Sequence, residues 1–425
     1  MRLLTCWNGR VEVDRDAVQR RTLRVLVGGQ VLGGAAIGVS AAASALVAAE
    51  ILGSGTWSGL AYAAFAFGAA GAAVPLSRVM ARRGRRYGLT RGYAAAAAGA
   101  VACVAAAQIE SFPLLLVGLL LFGAGNASNL LSRYAAADLA RPDRRARAIS
   151  TVVWATTIGA VAGPNVLGPA KRVADALDLV PLAGPFAVSI GCFVVAGLII
   201  NVFLRPDPLE VAGLLDVPTD QPAAPTSIRA TLREIASRPD AVVGLATMST
   251  AHAVMISVMA MTPLHLRDHG DSLEVVGVVI SLHIAGMYAF APAVGSIADR
   301  VGHLQMARAA AVTLLGAAAL AAAAGHNHVL IATALVLLGL AWSMATISGS
   351  AILVAATPPA DRARTQGVAD MTMGLMGGTG GTVAGLIVGL LGYPTLSLVG
   401  AALALGLFAF VAARATRTPD AALGS

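Results

Sequence analysis

RRGRRYG, at residues 82–88, and DRVGHLQ, at residues 299–305, decide how this chain is read. Each word follows a long apolar run and puts a glycine among basic residues. Gly84 and Gly302 lie 218 positions apart. A second pair repeats the spacing: RRARAIS (144–150) and DRARTQG (361–367) place Arg147 and Arg364 217 positions apart. Two unrelated places with nearly the same offset point to internal duplication, and parallel repeats are a recurrent transporter design.

The rest of the chain fits that reading. Of its 425 residues, 57 % are hydrophobic and 12 % charged, and the mean hydropathy is +0.76. A soluble protein carries about 25 % charged residues. Apolar runs of about 20 residues recur throughout, each long enough to cross a hydrocarbon core of roughly 30 Å. They are continuous and lack a two-residue alternation, so helices are expected rather than a barrel. The formal charge of +8 does not mark a nucleic-acid binder, because the arginines sit in short loops as the positive-inside rule requires. Cys6, Cys103 and Cys192 have neither disulfide nor zinc spacing. Residues 1–24 are too charged for a cleavable signal peptide. No phosphate loop, HExxH or nucleophile elbow is present, so no enzyme activity, cofactor or direct ATP drive is expected.

Twelve spans are expected, at about 24–49, 56–78, 89–109, 112–137, 148–170, 183–204, 240–264, 273–297, 307–325, 328–356, 365–390 and 393–413. Loops on one side carry Arg82, Arg83, Arg85 and Arg86, then Arg141, Arg144, Arg145 and Arg147, then Arg300, then Arg362 and Arg364; the other side has only Lys171, Arg172 and Arg267. Both termini are therefore expected in the cytoplasm, at a bacterial inner membrane. The chain divides into an N-terminal segment (1–23), a six-helix bundle (24–204), a linker (205–239), a second six-helix bundle (240–413) and a tail (414–425). The linker is proline-rich. Within it SIRATLREIASR (227–238) sets Ile228, Leu232 and Ile235 at i, i+4, i+7, which reads as a short helix on the membrane surface.

GSIADRVGH (295–303) resembles the loop motif of the major facilitator superfamily, with Gly295, Asp299, Arg300 and Gly302 in its places. The first-half copy keeps Gly84 and Arg85 but has Ser77 for the glycine and Ala81 for the aspartate. GAVAGPNVLG (159–168), with Gly159, Gly163 and Pro164, resembles the fifth-span motif met in exporters and antiporters. The resemblance implies an all-α polytopic protein of two pseudo-symmetric six-helix bundles, a monomeric secondary transporter working by alternating access. It assigns the loop motif to gating, with Asp299 meeting the N-terminus of a neighbouring helix. In span four Leu119 stands where proton-driven relatives carry an arginine, four residues before Gly123, which argues against the usual drug-efflux arrangement.

MISVM (255–259) and HIAGM (283–287) are similar to the MxxxM and HxxxM words of the copper-importing branch, in spans seven and eight. Residues i and i+4 share a helix face. Thioether sulfur suits Cu(I), and imidazole also suits copper. Met255, Met259, His283 and Met287 are thus candidate ligands for copper as cargo, not as a cofactor. The plain reading is packing, since methionine fills irregular gaps and suits varied apolar substrates. His265, His269, His326 and His328 lie near external loops and are candidates for a collecting rim. An organic solute, a drug or a riboflavin-like compound, taken up or expelled, is the competing cargo. A non-transporting sensor is disfavoured by the lack of any added soluble domain. Ionisable residues in spans are functional candidates. Asp370 is read as a proton-coupling or gating carboxylate, and Arg133 as snorkelling to the cytoplasmic interface. Asn126, Asn129, His252, Trp154 and Trp342 are cavity candidates.

Overall fold

The computed structural model describes residues 4–7, 10–52, 58–165, 167–213, 227–271 and 273–415. Nearly all of this is helix, and ten helices among the described residues are long and apolar enough to cross a membrane. The first half contains α1 (Arg15–Leu52), α2 (Ser58–Arg83), α3 (Arg85–Gln108), α4 (Phe112–Ala135), α5 (Arg145–Asn165), α6 (Leu167–Ala176) and α7 (Gly184–Phe203). The linker holds α8 (Pro208–Val211) and α9 (Ile228–Ala236). The second half contains α10 (Pro239–Asp268), α11 (Leu273–Tyr288), α12 (Ala291–Val301), α13 (His303–Ala323), α14 (His328–Ala356) and α15 (Arg362–Ala415).

Several boundaries differ from the expected spans. Ahead of the first helix, β1 (Leu4–Trp7) pairs antiparallel with β2 (Arg10–Val13). The first helix starts well before residue 24, because Asp14 caps it by accepting the Ala17 N–H at 2.9 Å. Span eight is broken into α11 and α12, and Pro292 occupies the first turn of α12, where its missing N–H costs nothing. Spans eleven and twelve run on through α15, interrupted only at Gly392 with φ +84°. The linker helix forms, but its inward face is Thr231 and Ile235; Leu232 is 36 % exposed. It is also tied to protein, through Glu234 to Arg364 at 2.9 Å.

The chain forms two compact units, and each borrows a segment from the other sequence half. One comprises residues 1–142, 151–234 and 357–374; the other comprises 143–150, 235–356 and 375–425. In the first, α4 packs against α1, α2 and α3; in the second, α14 packs against α10, α11, α12 and α13. Lipid offers no hydrophobic drive for this packing, so small residues that allow close backbone approach carry much of it.

One contact recurs in the docking of both borrowed segments. In the second unit a Cβ on Gly295 would overlap Ser150 Oγ and stand 2.6 Å from Ser150 Cβ. In the first unit a Cβ on Gly367 would overlap Ser77 Oγ and stand 2.9 Å from the Ala73 carbonyl. Ser77 is the repeat mate of Gly295, and Gly367 is the mate of Ser150. The glycine and the serine have changed sides. Both hydroxyls satisfy themselves on the carbonyl three residues back, Ser77 on Val74 at 2.8 Å and Ser150 on Arg147 at 2.9 Å. Ser77 is therefore a compensated residue and not a decayed motif position. Gly367→Ser alone should lower stability by roughly 1–3 kcal/mol through overpacking. Adding Ser77→Gly should restore most of the loss, as read from thermal unfolding of the purified protein; simple additivity of the two changes would refute the pairing.

Candidate functional site

The second unit gathers the methionine and histidine words. On α10, His252, Met255 and Met259 lie at i, i+3 and i+7, one helical face. Met255 from α10 and Met287 from α11 are buried in one apolar cluster with Leu335, Leu338 and Trp342 from α14, and Met259 packs against that cluster. His283 is fully buried. Its Nδ1 lies 2.7 Å from the Leu335 carbonyl. A carbonyl only accepts, so Nδ1 carries the proton and Nε2 is left with a bare lone pair. That Nε2 is buried without a partner. Such atoms are rare in folded proteins, because an unpaired buried polar group forfeits its hydration.

His252 is held the other way round. The Trp342 indole N–H, which can only donate, gives its hydrogen to His252 Nδ1 at 3.0 Å. The neutral His252 ring then carries its proton on Nε2. Tyr288 meets Trp342 edge to face, with ring centres 5.6 Å apart. At the C-terminal end of α10 and in the loop after α13, His265, His269 and His326 form a file of rings, with centres 4.4 and 4.1 Å apart. His265 stacks on Tyr393 and His328 reaches Asp271 at 3.6 Å. Among the described residues, no three His, Cys, Asp or Glu side chains converge on a metal position. The rim is a row of rings and not a formed metal site.

The first unit joins Asp370 and Arg133, which the sequence leaves separate. Arg133 Nη2 meets Asp370 Oδ1 at 2.5 Å and Nη1 meets Oδ2 at 3.2 Å. The two side chains are 1 % and 2 % exposed. Arg133 thus does not snorkel: a carboxylate brought from α15 neutralises it within the protein. Tyr134 supports the pair through its hydroxyl, 3.1 Å from Arg133 and 3.3 Å from Asp370. A second buried pair lies in the same unit. Arg85 clasps Asp138 with Nε and Nη2 at 2.8 and 3.0 Å, and Nη2 also donates to Gln366 at 2.6 Å. Burial pushes the Asp138 carboxyl above the ordinary aspartate range, and the Arg85 guanidinium opposes that shift.

The two loop words share a backbone conformation and differ in their carboxylates. Gly84 and Gly302 both have φ +93°, a left-handed conformation that only glycine adopts without strain. In the second unit Asp299 accepts the Ala146 and Arg147 N–H groups, both at 2.9 Å, at the start of α5. The carboxylate thus sits on a helix N-terminus, where backbone dipoles favour it. His303 lies 3.3 Å from the same carboxylate, and Arg300 is exposed. In the first unit Asp207 from the linker takes the Arg85 and Arg86 N–H groups at 3.1 and 2.8 Å, capping α3.

Other candidates are placed as follows. Asn129 is buried and accepts the Tyr93 hydroxyl at 2.7 Å, and Asn126 is partly buried. Gln30 extends this polar row to Thr156 at 2.7 Å and Ser132 at 2.8 Å. Trp154 is 38 % exposed. Gly159 lets α5 close on α1, where a Cβ would stand 2.5 Å from the Ala35 nitrogen. Gly163 and Pro164 fall in the last turn of α5, and their packing lies outside the described residues. Leu335, Asp138, Gln366 and Asp207 escaped the sequence reading. Asp207, inside the linker's Pro-Asp-Pro triplet, had the only local signal.

A duplicated bundle of membrane-length helices, with carboxylate-capped loops and buried polar clusters, defines a polytopic membrane transporter. The chain belongs to the Major Facilitator Superfamily, whose model matches residues 26–272 and 243–424. It is similar to YdeG, an uncharacterized transporter of this type from Bacillus subtilis strain 168, at 39 % identity over 93 % of this chain and 92 % of that one. It is also similar to the riboflavin transporter RfnT of Brucella anthropi, at 26 % identity over 83 % of this chain and 85 % of that one. Among solved structures, the human organic anion transporter MFSD10 superposes with a TM-score of 0.71 at 18 % identity, covering 92 % of this chain and 99 % of that one. That likeness concerns the fold.

The Arg133–Asp370 pair makes a clear demand. Asp370→Asn should leave a buried uncompensated guanidinium and destabilise the protein by about 3–5 kcal/mol. Combined with Arg133→Met, most of that loss should return. Thermal unfolding of the three variants checks this, and a single Asp370→Asn with unchanged stability would contradict the pairing.

Proposed function

We propose that this secondary transporter carries cuprous copper into the cell by alternating access, with Met255, Met259, His283 and Met287 as successive ligands. The observation that carries the reading is His283. Its ring is fully buried, its Nδ1 proton is spent on a backbone carbonyl, and its Nε2 is unpartnered. A metal-ligating histidine has this arrangement, with the far N–H held by a carbonyl so that the ligating nitrogen is fixed and basic. Three thioethers belong to or pack on the neighbouring apolar cluster, and soft neutral sulfur suits Cu(I). Neutral ligands also release their ion more readily than thiolates would, which a carrier requires. The arginine-rich loops support a bacterial inner-membrane location with both termini inside. Asp370 is the proposed coupling or gating carboxylate, since protonating it would release Arg133.

A second reading rests on the relative that transports riboflavin. Under it, His252, Tyr288 and Trp342 form an aromatic wall for a flat organic solute, and the methionines are packing. Uptake of radioactive copper under reducing conditions, by cells without their own importer, separates the two. The intact protein should accumulate copper, and Met259→Ala and His283→Ala at equal membrane abundance should lose about tenfold or more. Accumulation of riboflavin without copper would favour the second reading and overturn the first.

A further inference from the structure

We infer that Gly339 and Gly286 are positioning residues for His283, holding α11 and α14 close enough for the Leu335 carbonyl to fix the imidazole tautomer. The inference rests on the copper reading for its purpose but not for its geometry. A Cβ on Gly339 would overlap the His283 carbonyl oxygen and stand 2.9 Å from the Met287 nitrogen. A Cβ on Gly286 would stand 2.5 Å from the Val336 carbonyl oxygen. The two glycines thus press the helices together from opposite sides, along the stretch that contains both His283 and Met287. The Leu335 carbonyl is one residue from Val336, and it reaches His283 Nδ1 at 2.7 Å. Side chains at either glycine would force the backbones apart and stretch that hydrogen bond.

The consequence is chemical. A buried neutral imidazole with no fixed partner can carry its proton on either nitrogen. Here the partner decides, and the lone pair is confined to Nε2. His252, fixed by Trp342, holds the opposite tautomer, with its proton on Nε2. Two histidines in one unit are thereby set in opposite tautomers by different partners. A cation entering this unit meets one bare imidazole nitrogen, and its place is set by a glycine contact between two helices.

The test uses the full chain, purified and labelled with nitrogen-15 in histidine, and reads tautomers from the ring nitrogen resonances. His283 is assigned by its loss in His283→Gln. The expected wild-type state is proton on Nδ1 and none on Nε2, with the bare nitrogen moving when silver(I), a redox-silent analogue of Cu(I), is added. Gly339→Ala should mix the tautomers and weaken silver binding by about tenfold or more. Gly385→Ala, at a glycine with open space around it, should change neither. A wild-type His283 protonated on Nε2, or a Gly339→Ala protein with an unchanged tautomer, would overturn the inference. Should Gly339→Ala fail to fold, the wild-type tautomer and the milder Gly286→Ala variant decide it. The expected tautomer with no silver response would uphold the positioning and refute copper as cargo.

Discussion

Hydrocarbon offers no partner to a peptide group, and most of this molecule follows from that constraint. Every N–H and C=O within the bilayer must be satisfied inside the protein, so the spans are helices. Water no longer drives apolar faces together, so helix contacts depend on how near two backbones can come. Glycine sets that limit here. Gly159 admits α1, Gly295 and Gly367 admit the borrowed segments, and Gly286 and Gly339 bring α11 onto α14. At the last of these contacts, the same closeness that packs the helices delivers a carbonyl to His283.

Charge inside the units obeys a similar rule. An ion removed from water needs a partner of its own. Arg133 finds Asp370, Arg85 finds Asp138, and Asp299 finds the N-terminal amides of α5. The two loop words solve their problem differently: one leans on a helix N-terminus, the other on side-chain ion pairs and a linker carboxylate. The second unit's candidate site, by contrast, is built from neutral sulfur and imidazole. A neutral ladder gives a cation little Coulombic hold, and that is consistent with a carrier that must let go.

The sequence made some of this legible. Gly84 and Gly302 could be paired because a left-handed turn leaves few alternatives to glycine, and both adopt φ +93°. The transporter family was readable from a nine-residue loop word and the repeat offset. Partners far apart in the chain were not readable. Arg133 and Asp370 are 237 residues apart, and nothing local to either names the other. The exchanged serine and glycine were hidden as well. Position by position, Ser77 looks like a lost motif residue, and only its contact with Gly367 shows the compensation. Leu335 was beyond reach for a simpler reason. Its role belongs to a carbonyl oxygen, and every residue has one.

The claim that most depends on this account is that soft ligands and one imidazole meet a copper ion inside the second unit. X-ray absorption at the copper edge, on purified protein loaded stoichiometrically with Cu(I), tests it directly. The account predicts a shell of sulfur together with imidazole nitrogen, with the imidazole contribution lost in His283→Gln. A shell of nitrogen and oxygen alone, or no retained copper in a folded protein, would contradict it.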